Sequence, residues 1–163
     1  MSRLISIAIC LLISLSAVAS GERDFASKFM ETCEEDTALQ CVTVSPKMME
    51  QLTKTGEGRS EHITQAIQKL KSARIVTATS RPDDYYQMAE ELLKKNSQRF
   101  KRFDSYHSSH AYGSIYSRQA KNGNTVELIL LHCDSSKHKL VVVNLTGDID
   151  DEFVTCITKN LDN

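Results

Sequence analysis

The sequence has 163 residues, with 20 basic and 21 acidic side chains and a formal net charge of -1. This near balance argues against nucleic acid as the main partner, because proteins that bind nucleic acid carry a strong basic excess or a basic stripe. We therefore expect a protein that binds neither DNA nor RNA.

The N-terminus has the pattern of a secretory signal peptide. Arg3 precedes an apolar run over 4–15, and Ala17-Val18-Ala19 is a small-residue site that predicts cleavage after Ala19. The run is shorter than the roughly 20 residues that span a bilayer, which favours a signal peptide over a membrane anchor. No later stretch of the sequence is long and apolar enough to cross a membrane, so we expect no transmembrane segment after cleavage. The sequence thus predicts a signal peptide over 1–19, a single domain over 20–163, and export to the periplasm or the extracellular space.

Helical and strand patterns alternate in the first half of this domain. Phe25, Phe29 and Cys33 share one face at helical spacing, which predicts a first helix over 22–33. Ser45-Pro46 is typical of an N-cap followed by proline at the first helical position. The other predicted elements here are a strand over 39–45, a helix beginning at Pro46, a helix over 61–71, a strand over 74–79 and a helix over 82–96.

Strands dominate the second half. Two long apolar runs over 125–133 and 140–145 carry aliphatic side chains on both faces, which is typical of central strands covered on each side. Asn122-Gly123 predicts a hairpin turn before the first of these runs. Gly147-Asp148 is expected to end the last strand and to cap a closing helix.

Together with strands over 100–107 and 112–118, these patterns predict an α+β fold. Its sheet is mixed or mostly antiparallel, ends in a C-terminal four-strand meander, and has helices packed on it. Four aromatic residues lie on the outer predicted strands: Phe103, Tyr106, Tyr112 and Tyr116. They are expected to pack across strands or, where exposed, to form a partner site.

The domain carries four cysteines, Cys33, Cys41, Cys133 and Cys156. An even number in an exported protein favours disulfides, and four cysteines allow three pairings. Cys33 and Cys41 flank a short helix-to-strand connection, so we expect them to pair. For Cys133 and Cys156, a disulfide and two buried free thiols fit the pattern equally well.

Histidine is the sharpest unusual feature. His107 and His110 flank one predicted turn, and His132 and His138 flank another turn two strands later. Alternate turns of a meander lie at the same end of the sheet, so the four imidazoles are expected at one rim, with Asp134 nearby. Imidazoles and a carboxylate suit zinc, copper or nickel. A metal site is therefore one interpretation, and exposed polar turn residues are the other.

Several stretches carry a family resemblance. A Phe-rich first helix is followed by Ser-Pro-Lys-Met-Met, Leu-Lys-x-x-Arg-Ile-Val, Val-Glu-Leu-Ile-Leu-Leu and Leu-Val-Val-Val-x-Leu-x-Gly-Asp-Ile. In these features the chain resembles exported proteins of Bacteroidetes-type bacteria grouped as domain of unknown function 4252. The resemblance covers most of the mature chain and rests on core and turn residues. It implies an exported α+β domain without an established activity, and it gives no role to the histidines or cysteines.

Motifs of common enzyme classes are missing from the sequence. It contains no Gly-x-Ser-x-Gly, His-Glu-x-x-His, P-loop or Gly-x-Gly-x-x-Gly pattern, so catalysis is not indicated and no cofactor is expected. The leading interpretation is a non-catalytic exported module that binds another protein or an envelope ligand. The alternative is a transition-metal-binding protein, hydrolytic in one version, that uses the histidine rim. An apolar or aromatic surface patch would favour the first interpretation.

Overall fold

The computed structural model of the protein describes residues 23–33, 36–55 and 61–159, with the backbone alone at 52–55 and 159. The expected signal peptide lies outside the described residues. In those that are described, no helix is long and apolar enough to cross a membrane. The elements in chain order are α1 (Phe25–Thr32), β1 (Leu39–Val44), α2 (Pro46–Thr55), α3 (Glu61–Gln68), β2 (Leu70–Ala78), α4 (Pro82–Lys95), β3 (Lys101–His107), β4 (Ala111–Gln119), β5 (Thr125–Asp134), β6 (Lys139–Ile149) and α5 (Asp151–Lys159).

The six strands form one sheet in the order β1-β2-β6-β5-β4-β3, and every neighbouring pair is antiparallel. β3 to β6 form the predicted meander, and β2 and β1 extend the sheet beyond β6. Gly123 in the turn between β4 and β5 has φ of +89°, as the predicted Asn-Gly turn requires. The two strands with aliphatic residues on both faces, β5 and β6, are the central pair. The predicted α+β fold is therefore confirmed.

Helices cover both faces of the sheet. On the first face, α1 and α4 pack over odd-numbered residues of β5 and even-numbered residues of β6. Their shared core includes Phe25, Phe29, Tyr85, Ala89, Leu93, Ile129, Leu131, Leu140 and Val142. On the second face, α2, α3 and α5 form a smaller core that includes Met49, Ala66, Ala73, Leu128, Leu145, Phe153 and Val154. The first core spans more of the sheet than the second.

The boundary between α3 and β2 differs from the predicted one. The helix predicted over 61–71 ends at Gln68, and β2 begins at Leu70 because Leu70 pairs with Gly147 of β6. Gly147 has φ of +147°, and a Cβ atom there would lie 2.6 Å from the Lys69 carbonyl oxygen. Glycine thus permits an approach that a side chain would block. Strand pairing decides the conformation of Leu70 here, although its spacing also fits a helix.

The end of β6 also differs from the predicted one. The strand continues through Asp148 to Ile149, and the Asp148 amide donates to the Lys69 carbonyl at 3.2 Å. Asp150 is therefore the residue that caps α5, and its Oδ1 accepts a hydrogen bond from the Phe153 amide at 2.8 Å. This bond lowers the pKa of Asp150. The predicted cap at Asp148 is wrong because the sheet extends two residues further.

A buried carboxylate on β5 links α1 to the central strands on the first face. Glu127 on β5 has no exposed side-chain surface. Its Oε1 accepts hydrogen bonds from the Phe25 amide at 2.7 Å and from Asn144 Nδ2 at 3.1 Å, and its Oε2 accepts from Arg118 Nε at 2.8 Å. Asn144 Oδ1 in turn accepts from the Ala26 amide at 2.8 Å. The sheet therefore satisfies the first two amides of α1, which have no acceptor within the helix.

Charged groups around this helix end strengthen the anchor. Arg99, which follows α4, places a guanidinium nitrogen 3.7 Å from Glu127 Oε2. Asp24 caps the third amide of α1, that of Ser27, at 2.8 Å, and its second oxygen lies 3.1 Å from Arg74 Nε on β2. Carboxylates at a helix N-terminus also interact favourably with the helix dipole. α1 is thus fixed to the sheet by both hydrogen bonds and charge.

We expect Glu127→Ala to lower the free energy of unfolding by about 3–5 kcal/mol, because it removes the buried partner of a paired arginine. It also leaves the Phe25 amide without its acceptor. Glu127→Gln keeps the shape and one acceptor oxygen, so its loss should be smaller. Urea denaturation followed by circular dichroism measures both. A Glu127→Ala protein as stable as the unmodified one would show that this carboxylate does not anchor α1.

Candidate binding surface

Strand register places two rows of side chains across the second face, at and beyond the edge of the part that the helices cover. The row nearer the covered part contains Val42, Ile75, Val143, Leu130, Ile115 and Asp104. The next row contains Gln40, Thr77, Val141, His132, Gly113 and Tyr106. Both rows run across all six strands, so the surface they form is set by the sheet and not by a loop.

Most side chains in these rows remain in contact with solvent. Val42 is 56% exposed. Seven others are half-buried: Ile75, Thr77, Tyr106, Leu130, His132, Val141 and Val143. We call these eight residues the open sheet surface. Five of them are aliphatic, and a contiguous exposed apolar patch on a protein surface often marks an interaction site.

The neighbouring row of residues on the same face is covered by helices. Ala73, Leu128 and Leu145 lie directly along the strands from the open sheet surface, and all three are buried beneath α2, α3 and α5. Leu130 and Val143 pack against the edge of that core. The apolar side chains therefore continue past the point where the helical cover ends.

A polar pair closes one end of the open sheet surface. The Tyr106 hydroxyl lies 2.5 Å from His132 Nδ1, and the two rings are 6.0 Å apart and nearly parallel. The tyrosine ring reaches His132 by crossing over Gly113 on β4. A Cβ atom at Gly113 would lie 2.5 Å from the Tyr106 ring and 2.4 Å from the Leu131 carbonyl oxygen. The glycine thus makes room for the aromatic side chain.

The four aromatic residues noted in the sequence divide between the faces. Tyr112 and Tyr116 lie on the first face under α4, where the Tyr112 and Tyr86 rings meet edge to face at 4.7 Å. Core packing is therefore their role. Tyr106 lies on the open sheet surface, and Phe103 is 55% exposed on the edge strand β3. The four do not form one aromatic patch.

The histidine-bearing turns meet at one rim, as expected. The Ser135 amide of one turn donates to the His110 carbonyl of the other at 2.8 Å. The imidazoles themselves diverge: His107 stacks on Tyr112 on the first face, whereas His132 lies on the second. His138 is exposed in its turn, with φ of +48°.

The carboxylate near this rim is engaged in its own turn. Asp134 accepts hydrogen bonds from the Ser136 hydroxyl at 2.6 Å and the Lys137 amide at 3.0 Å, and these bonds lower its pKa. Among the described residues, no three His, Cys, Asp or Glu side chains are placed to hold a metal ion. The metal-site hypothesis, with His107, His110, His132 and His138 as ligands, stays a prediction that this arrangement does not support.

The structure contains no disulfide between the cysteines expected to pair. Cys33 and Cys133 are buried free thiols on the first face, and Cys41 is an exposed thiol on β1. Burial raises the pKa of both Cys33 and Cys133, so each is a weak nucleophile. Cys156 lies on α5, which packs on the second face. The sheet therefore separates Cys133 from Cys156, and bridging them would require backbone movement.

A cleft of about 420 Å³ lies between the end of α1 and the start of α4. Its polar lining groups already interact with each other. Arg81 is bonded to Asp36 and donates to the Tyr85 hydroxyl at 3.1 Å, and Tyr85 donates to Asp36. These contacts lower the pKa of Asp36, chiefly through the Tyr85 hydrogen bond. The cleft is thus a self-paired polar site, and the open sheet surface is the better candidate.

The fold and this surface define the class of protein: a three-layer α+β domain in which the described helices cover the central strands on one sheet face and only part of them on the other. Residues 32–155 match the domain of unknown function family DUF4252. The chain belongs to this family, which confirms the resemblance seen in the sequence. A search of curated proteins finds no match.

Solved structures give distant likenesses. One is a Pseudomonas aeruginosa protein of unknown function described as a putative regulator, with 12% identity over 78% of each chain and a TM-score of 0.36. Another is the Ran-binding protein Mog1p of Saccharomyces cerevisiae, with 12% identity and a TM-score of 0.31. That match covers 63% of this chain and 61% of the yeast chain.

We expect Gly113→Ala to lower the free energy of unfolding by about 1–3 kcal/mol, as overpacking does. The added methyl group meets the Tyr106 ring and the Leu131 carbonyl. In a Tyr106→Ala background the same change should be less destabilising, because the ring is gone. A double-mutant cycle measured by urea denaturation gives the coupling. Equal losses in the two backgrounds would contradict the contact between Tyr106 and Gly113.

Proposed function

We propose that the protein is an exported, non-catalytic binding module whose open sheet surface docks the apolar side of an amphipathic helix of a partner protein. The observation that supports this most strongly is the incomplete cover of the second face. The apolar side chains of Val42, Ile75 and Val141 lie on the same face as the helix-covered residues but remain accessible to solvent. A sheet face of this kind is ordinarily buried against another element.

An amphipathic helix fits the surface because helices already cover the rest of this sheet. On the first face, α1 contacts the strands through Phe25, Ala26 and Phe29. On the second face, α5 uses Phe153 and Val154. A partner helix lying beside α5 would bury the β-branched side chains of the open sheet surface. The partner would thus extend a layer that the helices among the described residues cover only in part.

The rim of the surface supplies polar contacts. Tyr106 and His132 lie at one end, Thr77 lies within the second row, and Asp104 is exposed on β3. Protein interfaces commonly have an apolar centre and a polar rim. Tyrosine is among the residues that contribute most binding energy. This arrangement gives a docked helix both apolar contact area and groups that set its orientation.

Photo-crosslinking in the producing cell tests the docking surface. A benzophenone amino acid at Val141, within the open sheet surface, should give a discrete adduct with one partner protein. The same amino acid at Gln87, exposed on α4, is the matched control and should not give that adduct. Thr77→Lys combined with the Val141 probe should weaken the adduct about tenfold, since a charge enters the apolar contact. Adducts that are absent at Val141, or equal at Gln87, would overturn the proposal.

Export has its own support in the basic Arg3, the apolar run after it and the small residues Ala17 and Ala19. We expect intact-mass measurement of the processed protein to show Ser20 as the first residue. Ala19→Phe should block processing, because the residue before the cut must be small. Val18→Phe, one position earlier, should leave processing unchanged. Normal cleavage of Ala19→Phe would contradict the assigned site.

A further inference from the structure

The two edge strands of the sheet are protected to different degrees. β3 carries Lys101, Arg102 and Asp104, and its pairing with β4 is interrupted by a register shift between Arg102 and Asp104. Charges and bulges of this kind prevent an edge from pairing with another strand. β3 is therefore a guarded edge.

β1 has none of these features. Its sequence, LQCVTV, contains no charged residue and no proline, and its six residues pair with β2 without a register shift. Gln40, Cys41, Val42 and Thr43 are all exposed. Within the described residues β1 has a hydrogen-bonded neighbour on one side only. A flat, neutral edge strand is a ready template for pairing with a further strand.

We infer that β1 pairs antiparallel with β1 of a second copy, joining two six-stranded sheets into one. A two-fold interface brings the same residues of both copies together, so a self-pairing strand must not oppose like charges. β1 meets that condition, whereas β3 paired about its central residue would set Asp104 directly opposite Asp104 of the second copy. The interface uses the backbone of β1 and is independent of helix docking on the open sheet surface.

The symmetry of this pairing has consequences for side chains. Directly opposed residues of antiparallel strands project to the same face, so the two-fold axis is perpendicular to the sheet. The open sheet surfaces of the two copies then lie side by side, with Val42 of each copy near the junction. Cys41 projects toward the first face because it pairs with Val76. The two Cys41 side chains are therefore neighbours, directly opposed or on a diagonal of about 7–8 Å.

Sedimentation velocity in the presence of a reducing agent tests this dimer. The unmodified protein should show a concentration-dependent dimer. Cys41→Lys and Cys41→Glu should each weaken dimerisation by about tenfold or more, because like charges then face each other across the axis. An equimolar mixture of the two variants should regain the dimer, because opposite charges now meet. Cys41→Ser should dimerise like the unmodified protein, which shows that no disulfide is needed.

Ser105→Lys places the same charge on the other edge strand and should leave the dimer intact. Circular dichroism verifies the fold of each variant, and Gln40→Lys repeats the test from the other face of β1 if a Cys41 variant misfolds. A protein that stays monomeric at every concentration would overturn the inference. So would a dimer that Ser105→Lys dissociates and Cys41→Lys does not. Neither outcome would affect the crosslinking result at Val141, so the two proposals fail separately.

Discussion

The structure depends on one constraint: its central strands are apolar on both faces, so both faces need cover. β5 and β6 place Ile129 and Val142 on the first face and Leu128 and Leu145 on the second, all of them buried. The chain meets this need unequally. α1 and α4 close the first face, whereas α2, α3 and α5 close the second face over only part of its length.

The closed face depends on Glu127. A short helix such as α1, with eight residues, is marginal by itself in water. Its first two amides bond to Glu127 and Asn144 on the central strands, and Arg118 and Arg99 balance the buried charge. These bonds fix the helix directly over the sheet. Polar groups of the sheet thereby stabilise the helix that seals the apolar core beside them.

The open half and the unguarded edge are adjacent features of one region. Val42 belongs to both, because it lies on β1 and is exposed at the margin of the second face. Aliphatic side chains in solvent lack the stabilisation that burial would give, which is about 25 cal/mol per Å² of apolar surface. A partner helix and a second copy would recover that burial in different directions, one above the sheet and one beside it. Both of the proposed associations would therefore use this region.

Much of the fold could be predicted from the sequence because its signals are local and strong. The two-faced apolar runs identified β5 and β6, and Asn122-Gly123 identified the hairpin before them. The errors came from pairing between distant residues. Leu70 has helical spacing but bonds to Gly147, and Asp148 follows a glycine but remains in the sheet. The Cys133–Cys156 pairing could not be judged without knowing which face α5 covers.

The open sheet surface could not be predicted for a related reason. Ile75 and Val141 are β-branched aliphatic residues like their neighbours Val76 and Val142, which are fully buried. Which member of each pair is covered depends on where the described helices pack, and no local sequence pattern indicates that. Glu127 lies within an apolar run, and a lone carboxylate in such a run indicates a buried partner, because charged side chains are almost never fully buried unless they are paired.

Solvent paramagnetic relaxation of methyl groups, measured by NMR on the isolated protein, tests the unequal cover most directly. Val141 and Val142 are adjacent in sequence and lie on opposite faces, as do Ile75 and Val76. A soluble paramagnetic agent should relax the methyl groups of Val141 and Ile75 strongly and leave those of Val142 and Val76 nearly unaffected. Equal protection of both members of each pair would mean that the second face is closed, and the account of a binding surface there would be wrong.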